Sequence, residues 1–228
     1  MKTFVGSALL AALVSANSRP IFGTYPGFIE GTDAKGIQIE LFMDYLCSAC
    51  YSENPIIEEV MQTPWLDGVV ADQVALAITP FPLPYHVHSY PVAELVPYFM
   101  DLCIESSGAQ CYSKQYKDFS FQMQSTVLGM KDTSLNDFKT YWADQVATEL
   151  GLDSTTILDA YSSSKYNVDS NTRTMLKYAW SKGVFGTPTV FINGVMLDSA
   201  PFSVDGWIEL LNEIYESQFQ SSAHSFLQ

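Results

Sequence analysis

Apolar positions along the chain change their period several times. Residues 36–43, GIQIELFM, alternate and then close on a continuous apolar, β-branched run, which predicts a buried strand. Between residues 52 and 61, Ile56, Ile57, Val60 and Met61 recur at helical spacing, with Pro55 expected to kink that helix. Residues 72–81, DQVALAITPF, predict a second buried strand, ended by Pro80 and Pro82. The middle of the chain keeps a helical period throughout. Val92, Leu95, Val96, Phe99, Met100 and Cys103 form one stripe, and Tyr112, Tyr116, Phe119 and Met123 a second. Leu135, Phe138, Trp142, Val146 and Leu150 form a third, with Thr133 or Ser134 as N-cap, and Asp153 caps a short fourth helix.

The strand pattern then returns. Asp169 or Ser170 is expected to cap a helix that runs to Trp180 and stops at Gly183. TVFI and VML in residues 187–197 read as strands joined by Asn193-Gly194, a pair suited to a two-residue type I′ turn. Residues 203–217, SVDGWIELLNEIYES, predict a closing amphipathic helix with Trp207, Leu210, Leu211 and Ile214 inward. The order β-α-β, helical block, α-β-β-α predicts an α/β class. Two halves form one central mixed sheet flanked by helices, interrupted by an all-helical insertion. The expected boundaries are 20–89 and 166–218 for the two halves, 90–165 for the insertion and 219–228 for a tail.

Composition adds three constraints. The chain has 228 residues, 47% of them hydrophobic, enough for one generous core. A formal net charge of −14, with no basic run after the first residues, disfavours nucleic acid and anionic membrane surfaces as partners. Residues 1–16 read as a signal peptide: Lys2, an apolar stretch over residues 4–14 too short to span a bilayer, and small Val14 and Ala16 before the cut. No later segment is apolar enough for a membrane helix. The expected location is therefore secreted or in a secretory-pathway lumen, the periplasm if bacterial.

The four cysteines are Cys47, Cys50, Cys103 and Cys111. An even count after a leader fits an oxidising compartment. Three pairings are possible, and proximity favours Cys47 with Cys50 and Cys103 with Cys111. The segment LCSAC stands where a buried strand ends and a helix begins, so the pair could be a redox centre, half of a metal site or a structural bridge. A Cys-x-x-Cys at a helix start favours redox chemistry. Unpaired N–H groups and the helix dipole stabilise the thiolate of the first cysteine. One helical turn brings the second sulfur within bonding reach.

LCSAC, the helical insertion after β-α-β, and GVFGTPTVFINGV at residues 183–195 together resemble the DsbA-like branch of the thioredoxin fold. The likeness extends over nearly the whole chain after the leader. It implies a thiol–disulfide oxidoreductase with Cys47 as nucleophile and Cys50 as resolving cysteine. It also implies a cis Pro188 facing the pair, with the Thr187 backbone binding an extended substrate. Leu41 stands where such proteins often hold a buried acid. Glu40, one residue away, should point to the other face of the strand. Asp44 matches the acid that disulfide isomerases and related branches place three residues before the first cysteine. Ser48-Ala49 supplies neither the His of strong oxidases nor the Pro of thioredoxin, which implies a less oxidising centre. The Ser48 hydroxyl could donate to the Cys47 thiolate. Ser48, Ala49 and Asp44 are thus the expected modulators.

Cys103 and Cys111 lie at the end of one helix and the start of the next, and are expected as a structural disulfide. His86 and His88 share a face of an extended segment and could join the Cys pair in a Cys₂His₂ zinc site. Their spacing is unlike known zinc patterns, so loop packing is preferred and no metal or other cofactor is expected. Glu58-Glu59 reads as a solvated helix face. The expected partners are polypeptides with thiols or disulfides and a redox protein that recycles the pair, with the chain itself a monomer. Rival readings are a lumenal thiol reductase of the gamma-interferon-inducible lysosomal type, an isomerase, and a non-catalytic binding module or chaperone.

Overall fold

The computed structural model describes residues 25 to 225. The expected leader at 1–16 and the side chains of the 219–228 tail lie outside that description. The chain begins with β1 (Phe28–Gly31) and β2 (Ile37–Met43), followed by α1 (Ser48–Gln62) and a two-strand hairpin, β3 (Pro64–Trp65) and β4 (Gly68–Val69). Then come β5 (Val74–Pro80) and six consecutive helices. These are α2 (Ser89–Ala93), α3 (Leu95–Glu105), α4 (Ser113–Gln122), α5 (Gln124–Gly129), α6 (Leu135–Leu150) and α7 (Ser154–Ala160). The chain closes with α8 (Val168–Ser181), β6 (Thr189–Ile192), β7 (Val195–Met196) and α9 (Val204–Ser225).

The main sheet has the order β1-β5-β2-β6-β7. β2 lies at its centre, parallel to β5 and antiparallel to β6, and β1 flanks β5 antiparallel. The apolar runs at Ile37–Met43 and Val74–Pro80 are therefore both interior strands, which is why neither alternates cleanly. Asn193 and Gly194 both take positive φ, as a type I′ turn requires, and Asn193 also accepts from the Gln38 N–H at 2.8 Å. Phe42 and Glu40 meet Tyr178 of α8, so by alternation Ile39, Leu41 and Met43 occupy the opposite face. α1 packs against α9, and α8 packs against β5 and α3.

Several boundaries differ from the sequence reading. The edge strand β1 and the β3–β4 hairpin were not anticipated; each is very short, and β1 exposes Ile29. α1 starts at Ser48, a turn earlier than the apolar stripe, and runs unbroken through Pro55. Ser134 and Asp153 cap α6 and α7, accepting from the N–H groups of Asp137 and Thr156. α8 begins earlier than expected. Its N-cap is Asn167, in the left-handed region, so Asp169 falls inside the first turn and bonds Tyr90 and Arg173 instead. α9 continues to Ser225, past the expected boundary at 218, in a stretch with neither Pro nor Gly to stop it.

Candidate active site

β2 ends at Met43, and a tight loop carries the chain over Asp44, Tyr45 and Leu46 to Cys47, the N-cap of α1. The loop is fixed from three sides. The Asp44 side chain, fully shielded from solvent, accepts from the N–H of Leu46 at 2.9 Å and of Leu83 at 3.1 Å. The Ser89 hydroxyl also donates to it, and His86 Nδ1 lies 2.6 Å from its other oxygen. The Cys47 N–H donates to the Asp44 carbonyl at 3.0 Å. From the helical insertion, the buried Gln124 amide donates to the carbonyls of Tyr45 at 3.1 Å and Cys47 at 3.0 Å. Asp44 was anticipated as a modulator; its role as a four-way hydrogen-bond acceptor, and Gln124 altogether, were not. Gln124 carries no motif, and only the fold brings it next to residues nearly eighty positions upstream.

Cys47 and Cys50 are both present as thiols. Cys47 is 8% exposed and Cys50 is 0% exposed. The bond between Thr187 and Pro188 is cis, and the Cys47 thiol donates to the Thr187 carbonyl at 3.4 Å. The structure thus brings Cys47, Cys50, Thr187 and Pro188 together across 140 residues of sequence.

Their acidities diverge. The Cys47 pKa falls from 9.0 to about 5. Its largest cause is the Cys50 thiol donating to the sulfur; Thr187 and the backbone N–H groups of Cys50 and Ala49 add to it against the cost of burial. The Thr187 hydroxyl is buried without a conventional hydrogen-bond partner and stabilises charge on both sulfurs. Burial pushes the Cys50 thiol strongly up, and its bond to Cys47 pushes it further. Ser48 was expected to donate to the thiolate. It is exposed, and backbone N–H groups at the helix start take that place. Of the Ser48-Ala49 pair it is the Ala49 N–H that favours charge on the Cys47 sulfur.

The histidines are engaged elsewhere. His86 is held on Asp44, while His88 stacks on Phe138 at 3.9 Å and reaches the Met130 carbonyl at 2.9 Å. Among the described residues no group of three or more His, Cys, Asp or Glu side chains is arranged to hold a metal. Glu40 lies across the strand from Leu41, buried, and is bound by Tyr25, Tyr178 and Lys182. Cys103 and Cys111 form a disulfide that links the last turn of α3 to the loop before α4. Glu58 is not simply solvated: it pairs with Lys114 and with Lys117, which is itself fully buried. Among the described residues no helix is long and apolar enough to cross a membrane.

No protein-family model and no curated protein matches the chain. Solved structures do. The MdbA protein, a thiol-disulfide oxidoreductase from Actinomyces oris, superposes with a TM-score of 0.59 at 19% identity, covering 82% of this chain and 88% of its own. DsbA from Chlamydia trachomatis gives a TM-score of 0.57 at 14% identity, covering 85% and 94%. The oxidoreductase DsbA from Xylella fastidiosa gives 0.57 at 13% identity, covering 83% and 90%. With β2 and β5 parallel at the centre of a mixed sheet and six helices inserted before α8, the chain has the DsbA-like thioredoxin fold.

Proposed function

We propose that the protein is a thiol–disulfide oxidoreductase acting on polypeptide substrates through Cys47 and Cys50. The observation that carries this reading is the geometry of the pair: Cys47 at the N-cap of α1 with its sulfur on the Thr187 carbonyl beside cis Pro188, and Cys50 buried one turn in, an arrangement that lowers the Cys47 pKa to about 5 and raises that of Cys50. Only the thiolate is a nucleophile, so the first attack belongs to Cys47 and the second to Cys50. In the reducing direction the Cys47 thiolate attacks a substrate disulfide, forming a mixed disulfide and releasing one substrate thiolate. Cys50 then attacks the Cys47 sulfur, closes the Cys47–Cys50 bond and releases the second. In the oxidising direction a substrate thiolate opens the closed pair at Cys47, and the same steps run backwards.

Thr187 and Pro188 are the substrate-binding segment in this reading. Pro188 offers no N–H, and the chain at Thr187 lies against the reacting sulfur, where an extended substrate segment can pair with its backbone. Asp44 and Gln124 position the loop, and Cys103–Cys111 is a structural staple. The leader-like residues 1–16 support a secreted or lumenal site of action, and a separate redox protein resets the pair after each cycle. The fold-matched proteins named as oxidoreductases support the class of reaction. The test is insulin reduction, or oxidation of a reduced ribonuclease, by wild type and Cys47→Ser. Wild type accelerates the exchange and the variant does not. Equal rates would remove the enzymatic reading and leave a thioredoxin-fold binding module.

A further inference from the structure

Closing the mixed disulfide requires Cys50 to lose its proton in a site that opposes the loss. Cys50 is 0% exposed, and burial raises its thiol pKa strongly. A base within reach is therefore needed. Leu41 on β2 beneath the pair is apolar, and Glu40 is turned to the α8 face and bound to Lys182. The acid that does lie on the Cys50 side belongs to α1 itself. Glu53 follows Cys50 by three residues, so the two are neighbours on one helix face. Helical side chains lean toward the N-terminus, which carries the Glu53 carboxyl back over the turn that bears Cys50. Glu53 is only 5% exposed, an unusual place for a carboxyl, and its one hydrogen bond is from Trp207 Nε1 of α9 at 3.2 Å. It lines a groove of about 380 Å³ together with Ala49, Pro188, Asp198 and Phe202, next to where a substrate would lie.

We propose that Glu53 is the general base and acid for Cys50, taking its proton when the pair closes and returning it when the pair opens. This rests on the oxidoreductase reading. In closure the Cys50 proton passes to the Glu53 carboxylate, directly or through a groove water. The Cys50 sulfur then bonds the Cys47 sulfur, the bond from Cys47 to the substrate sulfur breaks, and the electron pair leaves with the substrate thiolate. In opening, Cys50 departs as thiolate and is protonated by Glu53. Burial raises the Glu53 pKa above the ordinary carboxylate range, and the Trp207 N–H partly opposes that rise. A raised carboxylate pKa makes it a better match for a thiol. Besides its bond from Trp207, Glu53 shares the buried face of α1 with Cys50 and lines the groove opposite Asp198. No Lys, Arg or His is among the described residues that line the groove.

The two sulfur steps can be separated with an aromatic disulfide reagent that releases a coloured thiolate. Mixed with the reduced protein in a stopped-flow instrument, it gives one burst from attack by Cys47 and a second from closure by Cys50. In wild type the second burst accelerates as pH rises through the Glu53 titration. Glu53→Gln is expected to slow it at least tenfold and abolish that pH dependence, leaving the first burst unchanged; Glu53→Asp restores part of the rate. An unchanged second burst, or an equal fall in both bursts, overturns the assignment. If the glutamine variant does not fold, Trp207→Phe carries the test. Loss of the indole donor moves the pH midpoint of the second burst upward, and no movement overturns the proposal. The reagent is not a protein substrate, so these outcomes stand apart from the insulin assay, in which the oxidoreductase reading succeeds or fails.

Discussion

Cys47 and Cys50 share one helical turn but not one environment. Cys47 sits at the N-cap, where backbone N–H groups and the Cys50 thiol all favour charge; Cys50 is buried one turn in, where only the neutral form is comfortable. Two measurements follow at this scale. A titration of reduced protein by thiolate absorbance gives a midpoint of about 5 that Cys47→Ser removes, and an alkylating agent near neutral pH labels Cys47 alone. The folded pKa lies below the usual 9.0, so the thiolate stabilises the reduced protein fully only above that value, and the contribution is lost as pH falls to about 5. The denaturant midpoint of the reduced wild type, relative to Cys47→Ser, should therefore climb across that window. A flat difference would mean that the thiolate is not held. The same acidity lies between the values of about 7 for thioredoxin and about 3.5 for DsbA. A glutathione titration should accordingly place the potential between about −270 and about −120 mV, the values of those two proteins. The absence of a His between the cysteines was readable in the sequence, and it set this ordering. The peptide N–H groups of the helix start were legible as well, from the position of Cys47; the bond from the Cys50 thiol, the largest contributor, was not, because it depends on how the two side chains turn toward each other.

The joint between α1 and the insertion is ionic, and it is concentrated on one residue. Lys117 of α4 is 0% exposed and reaches Asn54 and Glu58 of α1, each at 2.5 Å, and Asp118 at 2.7 Å. Burial alone would raise the Asp118 pKa, but Lys117 beside it brings it below the usual carboxylate value. Lys114 joins the same carboxylates from the solvent side. Removing a buried charge from such a cluster leaves its partners uncompensated, so Lys117→Ala should cost about 3 kcal/mol in denaturant unfolding. Lys117→Met fills the volume but not the charge and should recover only part of it. Full recovery with methionine would mean that packing, not charge, holds the joint. Elements of this kind show where sequence reading reaches its limit. The two central strands, the stripes of α3, α4 and α6, and the caps at Ser134 and Asp153 were legible, because period and cap chemistry are local. Glu58 looked like an ordinary solvated helix charge and Lys117 gave no signal, since their burial depends on two elements meeting. β1 failed for another reason: four residues with one side open, buried only at Phe28, give no periodic signal.

The helical insertion is part of the candidate active site rather than an appendage to it. Gln124 holds the carbonyls of the Cys47 loop, and Ser89 and His86 hold Asp44 from the crossover into the insertion. Lys117 ties the insertion to the middle of α1, the helix that Cys47 caps. Disruption of either part should therefore be felt in the other, and the whole described structure should unfold as one unit despite its length. Two fully buried tryptophans report the two parts separately: Trp207 in α9 against Glu53, and Trp142 in α6 within the aromatic cluster of Tyr116, Phe119 and Phe138. Emission from Trp142→Phe, which keeps only Trp65, Trp180 and Trp207 outside the insertion, and from a variant with those three replaced by Phe, which keeps only Trp142, should each give a denaturant transition that coincides with that variant's circular dichroism. Asp44→Ala should lower both transitions together by about 3 kcal/mol, because two buried N–H groups, those of Leu46 and Leu83, are left without an acceptor. Asp44→Asn keeps one acceptor oxygen and should lose less. Separate transitions in either background would show that the insertion folds alone and that the contacts at Asp44, Gln124 and Lys117 join two independent bodies. A single shifted transition would mean that the loop carrying Cys47 is held by the stability of the entire fold, so that sites as distant as Lys117 set how tightly Cys47 is positioned.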